Sequence, residues 1–282
     1  MLRRWTLDDI FWDQFDPSKA DAGAVRIVKA ACLVEHNAAD YVSYLCNIFF
    51  DDPEFCAACK QWGREELQHG HALRRWAELA DPAWSFDQAF SRFQRGYGFD
   101  KDADQSVRGS RTGELLARCM VEVGTSSFYC ALRDGTAEPV LKQICGNIAS
   151  DEFRHFSLFH TYLKRYRQLH DIGIIKRMWL CFRRTLETND DELAYAYYTS
   201  NGISDLYDRR RFAQAYSGQA FSYYRYVHVM RGTTMIFKAI GLAPKGILAR
   251  TFAWWVYRFI YYRSRWLVSR TARRPTSDRS AA

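Results

Sequence analysis

The sequence predicts an all-α protein built on a four-helix bundle, with a crossover joining its halves and a helical extension following it. Three observations carry this expectation. Two Glu-x-x-His steps stand in the chain, Glu66-Leu67-Gln68-His69 and Glu152-Phe153-Arg154-His155. A lone Glu precedes each by a nearly equal interval, Glu35 by 31 residues and Glu122 by 30. An interval of about 30 residues fits one helix, a short turn and a returning helix, so each half reads as a helical hairpin. The third observation is that all of these residues sit on apolar helical stripes. Ala31, Cys32, Ala38, Ala39 and Val42 surround Glu35, Cys119, Thr125, Ser126 and Tyr129 surround Glu122, Trp62, Leu73 and Trp76 share the stripe of Glu66, and Ile148, Phe159 and Tyr162 that of Glu152.

Taken in order, residues 1–19 form an arm whose Trp5, Phe11, Trp12 and Phe15 are spaced to pack onto a bundle. Residues 20–170 form the bundle itself. Its first helix is expected near 20–50, ending at Asp51-Asp52-Pro53, where Pro53 suits a first helical position. The second runs from there to about Leu79 and stops at Asp81-Pro82. Residues 81–111, richer in Gly, Ser and Asp, read as the crossover. The third helix spans about 112–134, closed by Asp134-Gly135, and the fourth about 138–169. Residues 171–282 form the extension, with helices near 173–187, 190–200, 208–240 and 245–270. In the last, Phe252, Trp255, Val256, Phe259, Ile260, Tyr262 and Trp266 share one arc and Arg250, Arg258 and Arg265 another. A basic amphipathic helix rich in aromatic residues fits peripheral contact with a membrane through 245–270, and it also fits ordinary packing on the protein, the commoner role of such a stripe.

The spacing also predicts chemistry. Positions i and i+3 project from one helix face about a turn apart, so one carboxylate and one imidazole can grip the same ion. A single Glu-x-x-His is most often a solvated face, but two copies on apolar stripes, each with its upstream Glu, need partners in the core. Four carboxylates against two divalent cations sum to zero, which makes their burial tolerable. Glu35, Glu66, His69, Glu122, Glu152 and His155 are therefore the candidate metal ligands.

Composition bounds the rest. The chain has 282 residues, 48% hydrophobic and 16% aromatic, enough for a sizeable folded core. Residues 1–19 do not resemble a secretory signal and no run of 18 uncharged apolar residues appears, so no spanning helix is expected. Eight Cys placed mostly within apolar helical patterns suggest buried thiols of a reducing compartment, and the expected location is cytoplasmic with the option of membrane association. Cys56-Ala57-Ala58-Cys59 lacks a second Cys-x-x-Cys and reads as packed helix, not as a zinc or rubredoxin-like site. Nine of the 40 Lys and Arg but only one of the 32 Asp and Glu lie in residues 242–282, leaving 31 of each sign before them. No nucleic-acid-binding motif accompanies this basic tail, so nucleic acid is not expected as a partner. His36, His71, His160, His170 and His228 share no i, i+3 register with a buried carboxylate and read as packed or exposed.

The segment Leu141-Lys142-Gln143-Ile144-Cys145-Gly146-Asn147-Ile148-Ala149-Ser150-Asp151-Glu152-Phe153-Arg154-His155 resembles the second metal-binding helix of the soluble acyl-carrier-protein desaturases, and Trp62-Gly63-Arg64-Glu65-Glu66-Leu67-Gln68-His69-Gly70 resembles the first. The similarity covers residues 55–80 and 118–165, touches the first helix only through its Glu, and places the chain near the ferritin-like di-iron carboxylate superfamily. Gln68 stands where those enzymes usually carry Arg, the crossover is shorter, and the basic aromatic tail has no counterpart. The resemblance implies two iron ions bridged by Glu66 and Glu152, capped by Glu35 and Glu122, with His69 and His155 as nitrogen ligands. Manganese accepts the same oxygen and nitrogen set. It implies that Glu65 and Asp151 hold the outer N–H of the opposite hairpin's His. Thr125 falls where the desaturases carry a Thr on the oxygen-binding side of the cluster. It would then be a proton donor, whereas its ordinary role is a hydroxyl bonded to its own backbone.

The activity implied is O2-dependent desaturation or hydroxylation of an acyl or lipid-like substrate, carrier-bound in the desaturases. An external electron donor such as a ferredoxin is required, and a homodimer is common in the superfamily. Two alternatives stay open: a rubrerythrin- or ferritin-like peroxidase or ferroxidase, and a non-enzymatic helical protein stabilised by metal and docking on a membrane or an acidic partner.

Overall fold

The structure, a computed structural model, describes residues 4–98, 100–186, 191–203 and 205–272. It is all-helical: among the described residues there is no strand. Three short 3-10 turns (Leu7–Asp9, Trp12–Gln14, Pro17–Lys19) lead into α1 (Ala22–His36), α2 (Ala38–Ile48), α3 (Pro53–Ala80), α4 (Phe86–Gly96), α5 (Arg111–Gly135) and α6 (Pro139–Leu169). The helices α7 (Ile174–Leu186), α8 (Asp191–Ser200), α9 (Arg209–Ser222), α10 (Tyr226–Ile240) and α11 (Ile247–Ala272) follow.

Local chemistry sets most of these boundaries. Asp21, Asp52, Ser110 and Asp208 each cap a helix by accepting a backbone N–H of its first turn, and Pro53 and Pro139 occupy first helical positions. Gly241, at φ 91°, closes α10 in the left-handed conformation. Glu138 caps α6 through the N–H groups of Val140 and Leu141, and also accepts the indole N–H of Trp76 at 2.7 Å and the N–H of Asp16 at 3.2 Å. One fully buried carboxylate thus joins α3, α6 and the N-terminal arm.

The helices that carry the candidate ligands pair as α1 with α3 and α5 with α6, and α3 meets α6 across the pairs. Two glycines let α3 approach its partners closely. A Cβ at Gly63 would stand 2.3 Å from Val42, and one at Gly70 would stand 2.5 Å from the imidazole of His36. The later helices pack onto this group: α8 and α9 onto α1, α7 and α10 onto α5. Ala194, Ala196, Tyr197, Phe212 and Ala220 belong to the same apolar core as Ile27, Leu33 and Trp76. Residues 171–272, where described, form a shell continuous with the central helices.

Several elements differ from the sequence expectation. The helix expected over 20–50 is two, broken at Asn37, whose N–H closes a tighter turn onto the Val34 carbonyl at 3.0 Å. The break is where α8 docks, because Glu192 accepts from Asn37 Nδ2 at 3.3 Å and from the Tyr41 hydroxyl at 2.6 Å. The crossover over 81–111 contains α4, started by the Ser85 cap and held by buried Phe86, Ala89 and Phe93. The helix expected over 208–240 is divided at residues 223–225. In the arm, Trp5, Trp12 and Phe15 pack on the core, but Phe11 is exposed while its backbone N–H is held by Gln143. Arg273, Arg274 and Arg279 of the basic tail lie outside the described residues.

Because the His36 ring is itself packed and hydrogen-bonded to the Cys32 carbonyl, it cannot yield to a methyl group at Gly70. Gly70→Ala is expected to lower stability by about 1–3 kcal/mol, measured by urea unfolding, whereas Ala at the open position Gly124 should stabilise or be neutral.

Candidate metal centre

Glu35 comes from α1, Glu66 and His69 from α3, Glu122 from α5, and Glu152 and His155 from α6, and all six are buried. Their ligand atoms fall into two groups, Glu35, Glu66, His69 and Glu152 in one and Glu66, Glu122, Glu152 and His155 in the other. Within each group the atoms lie within 4.8 Å of one another, and Glu66 and Glu152 belong to both. Each group could hold a metal ion.

The two halves mirror one another. His69 Nδ1 faces Glu66 Oε2 at 3.0 Å and Glu152 Oε1 at 3.5 Å, while its Nε2 meets Asp151 Oδ2 at 3.0 Å. His155 Nδ1 faces Glu66 Oε1 at 3.2 Å and Glu122 Oε2 at 3.8 Å, while its Nε2 meets Glu65 Oε2 at 3.0 Å. So the residue preceding each central Glu reaches across to the opposite imidazole, α6 to α3 and α3 to α6. A carboxylate on Nε2 fixes the proton there and leaves the Nδ1 lone pair facing the cluster.

The outer carboxylates are each anchored by one oxygen. Tyr129 donates its hydroxyl to Glu35 Oε1 at 2.5 Å, leaving Oε2 on the side of His69 at 4.0 Å. Arg118, one turn before Glu122, meets Glu122 Oε1 at 3.4 Å and leaves Oε2 toward His155. The guanidinium of Arg118 is itself buried over the Trp62 ring at 4.8 Å and the Tyr41 ring at 5.2 Å. Thr125 stands at the cluster's edge: its Oγ1 lies 2.5 Å from Glu152 Oε2 and 3.2 Å from the Val121 carbonyl, so the carboxylate and backbone partners compete for one proton.

Whether these residues fit a metal can be tested on the atoms left over. Glu122 Oε2, Glu152 Oε1 and His155 Nδ1 are buried and make no hydrogen bond, although each has a potential partner within 4.0 Å. Buried polar groups without a hydrogen bond are costly, and these three belong to residues of one ligand group whose atoms lie within 4.8 Å of one another. An all-oxygen-and-nitrogen donor set of that size suits a divalent cation.

The electrostatics agree. Burial, then the charges of Glu66 and Glu152, push the Glu35 carboxyl well above the usual range, and burial with the same two neighbours does so for Glu122. Burial also works against charge on the imidazoles, yet Asp151, Glu152 and Glu66 hold His69 well above its ordinary value, and Glu66 and Glu65 do so for His155. In the protein alone, protons therefore occupy positions that cations would take. Burial opposes ionisation of Glu65, but its bonds to His155 and Gln61 hold the carboxyl down at about 2.

Three residues that the spacing argument did not single out shape the site. Trp5, expected only to pack, lies parallel to the His69 ring with centroids 6.0 Å apart and donates its indole N–H to Asp151 Oδ2 at 2.8 Å. Gln68 holds Trp5 in place through its carbonyl at 3.0 Å, which accounts for Gln at that position. Periodicity marks Tyr129 only as a neighbour of Glu122 and does not mark Arg118. A cation at i−4 from Glu122 on an apolar helix face was the available signal. None of His36, His71, His160, His170 and His228 joins either ligand group. Cys56 and Cys59 lie within α3, where the Cys56 thiol meets the Phe49 carbonyl at 3.4 Å and Cys59 is fully buried.

No protein-family model matches the chain, and no curated protein matches it.

Two outcomes are expected of this geometry. His155→Ala removes the nitrogen from one group only, so metal content measured by mass spectrometry should fall to roughly half; equal content in parent and variant would contradict the ligand assignment. Because neighbouring carboxylates raise both imidazole pKa values, protons compete with a metal ion for the imidazoles up to a higher pH than at an ordinary histidine. Apparent affinity should rise with pH by about tenfold per unit for each proton released, levelling off only above the imidazole pKa values, as read by chelator competition.

Proposed function

We propose that this chain is a ferritin-like di-iron oxidoreductase that uses O2 to desaturate or hydroxylate an acyl or lipid-like substrate, with electrons from an external donor such as a ferredoxin. The observation that carries this reading is the sharing of Glu66 and Glu152 between two ligand groups. A structural ion is satisfied by about four ligands in a closed shell. Each group here offers three carboxylates and one imidazole, fewer than the positions, about six, of an octahedral ion such as iron or manganese, so coordination positions stay open, which is what a reactive centre needs. The acyl class of substrate follows from the resemblance of the two metal-binding segments to the acyl-carrier-protein desaturases.

When bound, a pair of iron ions supplies the one-electron steps that make O2 reactive toward a C–H bond. The chain's own residues prepare that site. Asp151 and Glu65 orient the imidazoles so that Nδ1 of each is the ligand atom. Tyr129 and Arg118 hold one oxygen of Glu35 and of Glu122, which limits the rotation of both carboxylates. Trp62, Phe156 and Phe159 wall the His155 side and exclude water. The Thr125 hydroxyl places an exchangeable proton against Glu152 Oε2. The stacked and hydrogen-bonded line Trp5, Asp151, His69 joins a half-buried indole near the surface to the cluster, a connection an external donor can use.

The test is anaerobic loading with Fe(II) followed by O2, recording iron content and near-ultraviolet and visible absorption. About two irons per chain with an O2-dependent absorption, both lost in Glu152→Ala, is the expected result. Content below one iron with no optical change would refute the reading. Rapid consumption of hydrogen peroxide by the reduced protein without organic substrate would favour a peroxidase instead.

A further inference from the structure

The last helix is built inside out for a water-exposed surface. The buried residues of α11, which packs on α9 and α10, are Ala249, Ala253 and Ser264, with Leu267 the one large apolar residue among them, whereas Trp255, Phe259 and Tyr262 on the outer arc are 63%, 63% and 55% exposed. An amphipathic helix that only covers a core places its large apolar residues inward. Helix α7 repeats the pattern, with Ile175, Trp179 and Phe182 exposed by 81%, 56% and 54%. Its N-terminal end also lines a shallow apolar hollow with Ile172, Ile174 and Trp179 and carries Lys176 beside it. Both helices lie against α10. Arg177 of α7 donates Nε to the Ile240 carbonyl at 2.8 Å, and Phe252 of α11 meets Phe237 with ring centroids 6.0 Å apart.

Charge on these elements has one sign. Neither α7 nor α11 contains an Asp or Glu. Between Asp208 and Asp278 there is no acidic residue at all, against fourteen Lys and Arg. Among the described residues, Arg250, Arg258, Arg263 and Arg265 form no ion pair with a carboxylate. Instead Arg258 donates to the Tyr262 hydroxyl at 2.6 Å and Arg263 lies over the Phe259 ring at 5.9 Å. No helix among the described residues is long and apolar enough to cross a membrane.

We propose that the exposed faces of α7 and α11 together form a docking surface for an anionic lipid bilayer, with the aromatic rings at headgroup depth and the arginines on lipid phosphates. Charge complementarity selects this occupant. A second copy of the chain would bring two basic, carboxylate-free faces together, which is repulsive. A nucleic acid would satisfy the arginines but leave Ile175, Trp179 and Phe182 in water. The proposal is independent of the metal centre.

Co-sedimentation of the full chain with vesicles of phosphatidylcholine, alone or with about a third phosphatidylglycerol, tests it. Binding should require the anionic lipid and weaken on raising salt. Trp255→Ser with Phe259→Ser, Ile175→Ser with Trp179→Ser, and Arg250→Glu with Arg258→Glu should each weaken it by at least about tenfold. Unchanged metal content and melting temperature should confirm that these surface variants fold. The proposal is overturned if the parent binds neutral and anionic vesicles alike or neither, or if one aromatic pair has no effect. It is equally overturned if the parent binds duplex DNA but not vesicles, or if it dimerises through this face so that Trp255→Ser with Phe259→Ser yields monomer.

Discussion

Burial of four carboxylates and two imidazoles in a single helical core is the constraint on which the rest of this molecule depends. Each such group would be costly alone, and together the carboxylates repel. Every one of the six has a defined partner or faces the common point where a cation can sit. The second layer around them is equally specific: Asp151 and Glu65 on the imidazoles, Tyr129 and Arg118 on the outer carboxylates, Thr125 on Glu152. These contacts tie α1, α3, α5 and α6 to one another through polar groups, so the site and the packing of the helices are one problem with one solution.

Close helix approach is the geometric counterpart of that chemistry. Glu35 can reach the cluster from α1 because α3 offers Gly63 and Gly70 where Val42 and His36 press against it. The break at Asn37 then redirects the chain, and Glu192 of α8 receives the polar groups exposed there. The shell helices thus stabilise the place where the central geometry is least regular. The two halves of the site are alike in ligands but differ in their anchors, a neutral phenol on Glu35 and a guanidinium on Glu122. That difference makes the two positions electrostatically unequal, since a nearby cation disfavours a metal ion while a phenol does not.

Charge is separated along the molecule in a way that suits two tasks. The carboxylates of Glu35, Glu65, Glu66, Glu122, Asp151 and Glu152 are buried around the candidate metal positions, whereas Arg250, Arg258, Arg263 and Arg265, which pair with no carboxylate among the described residues, lie on a helix whose outer arc is aromatic. The core offers donors for cations, and the docking proposed for the outer face would use the opposite charge.

Much of the site was legible in the sequence, because helical periodicity is local: a Glu-x-x-His step on an apolar stripe specifies its own face. The intervals of 31 and 30 residues then indicate which Glu shares a hairpin with which step. The helix start at Asp52-Pro53 was local as well, since a cap needs only its own first turn. The break at Asn37, the helix α4 within the crossover and the division of 208–240 were not, because each depends on what packs against it. Nor could spacing assign Trp5 to His69 and Asp151, 64 and 146 positions away. The same holds for the arc of α11, whose amphipathic pattern fitted both orientations. Residue order determined which side chains share a helix face; only tertiary packing decided which faces meet and which stay in contact with solvent, since that choice is made by shape and charge contributed from distant parts of the chain.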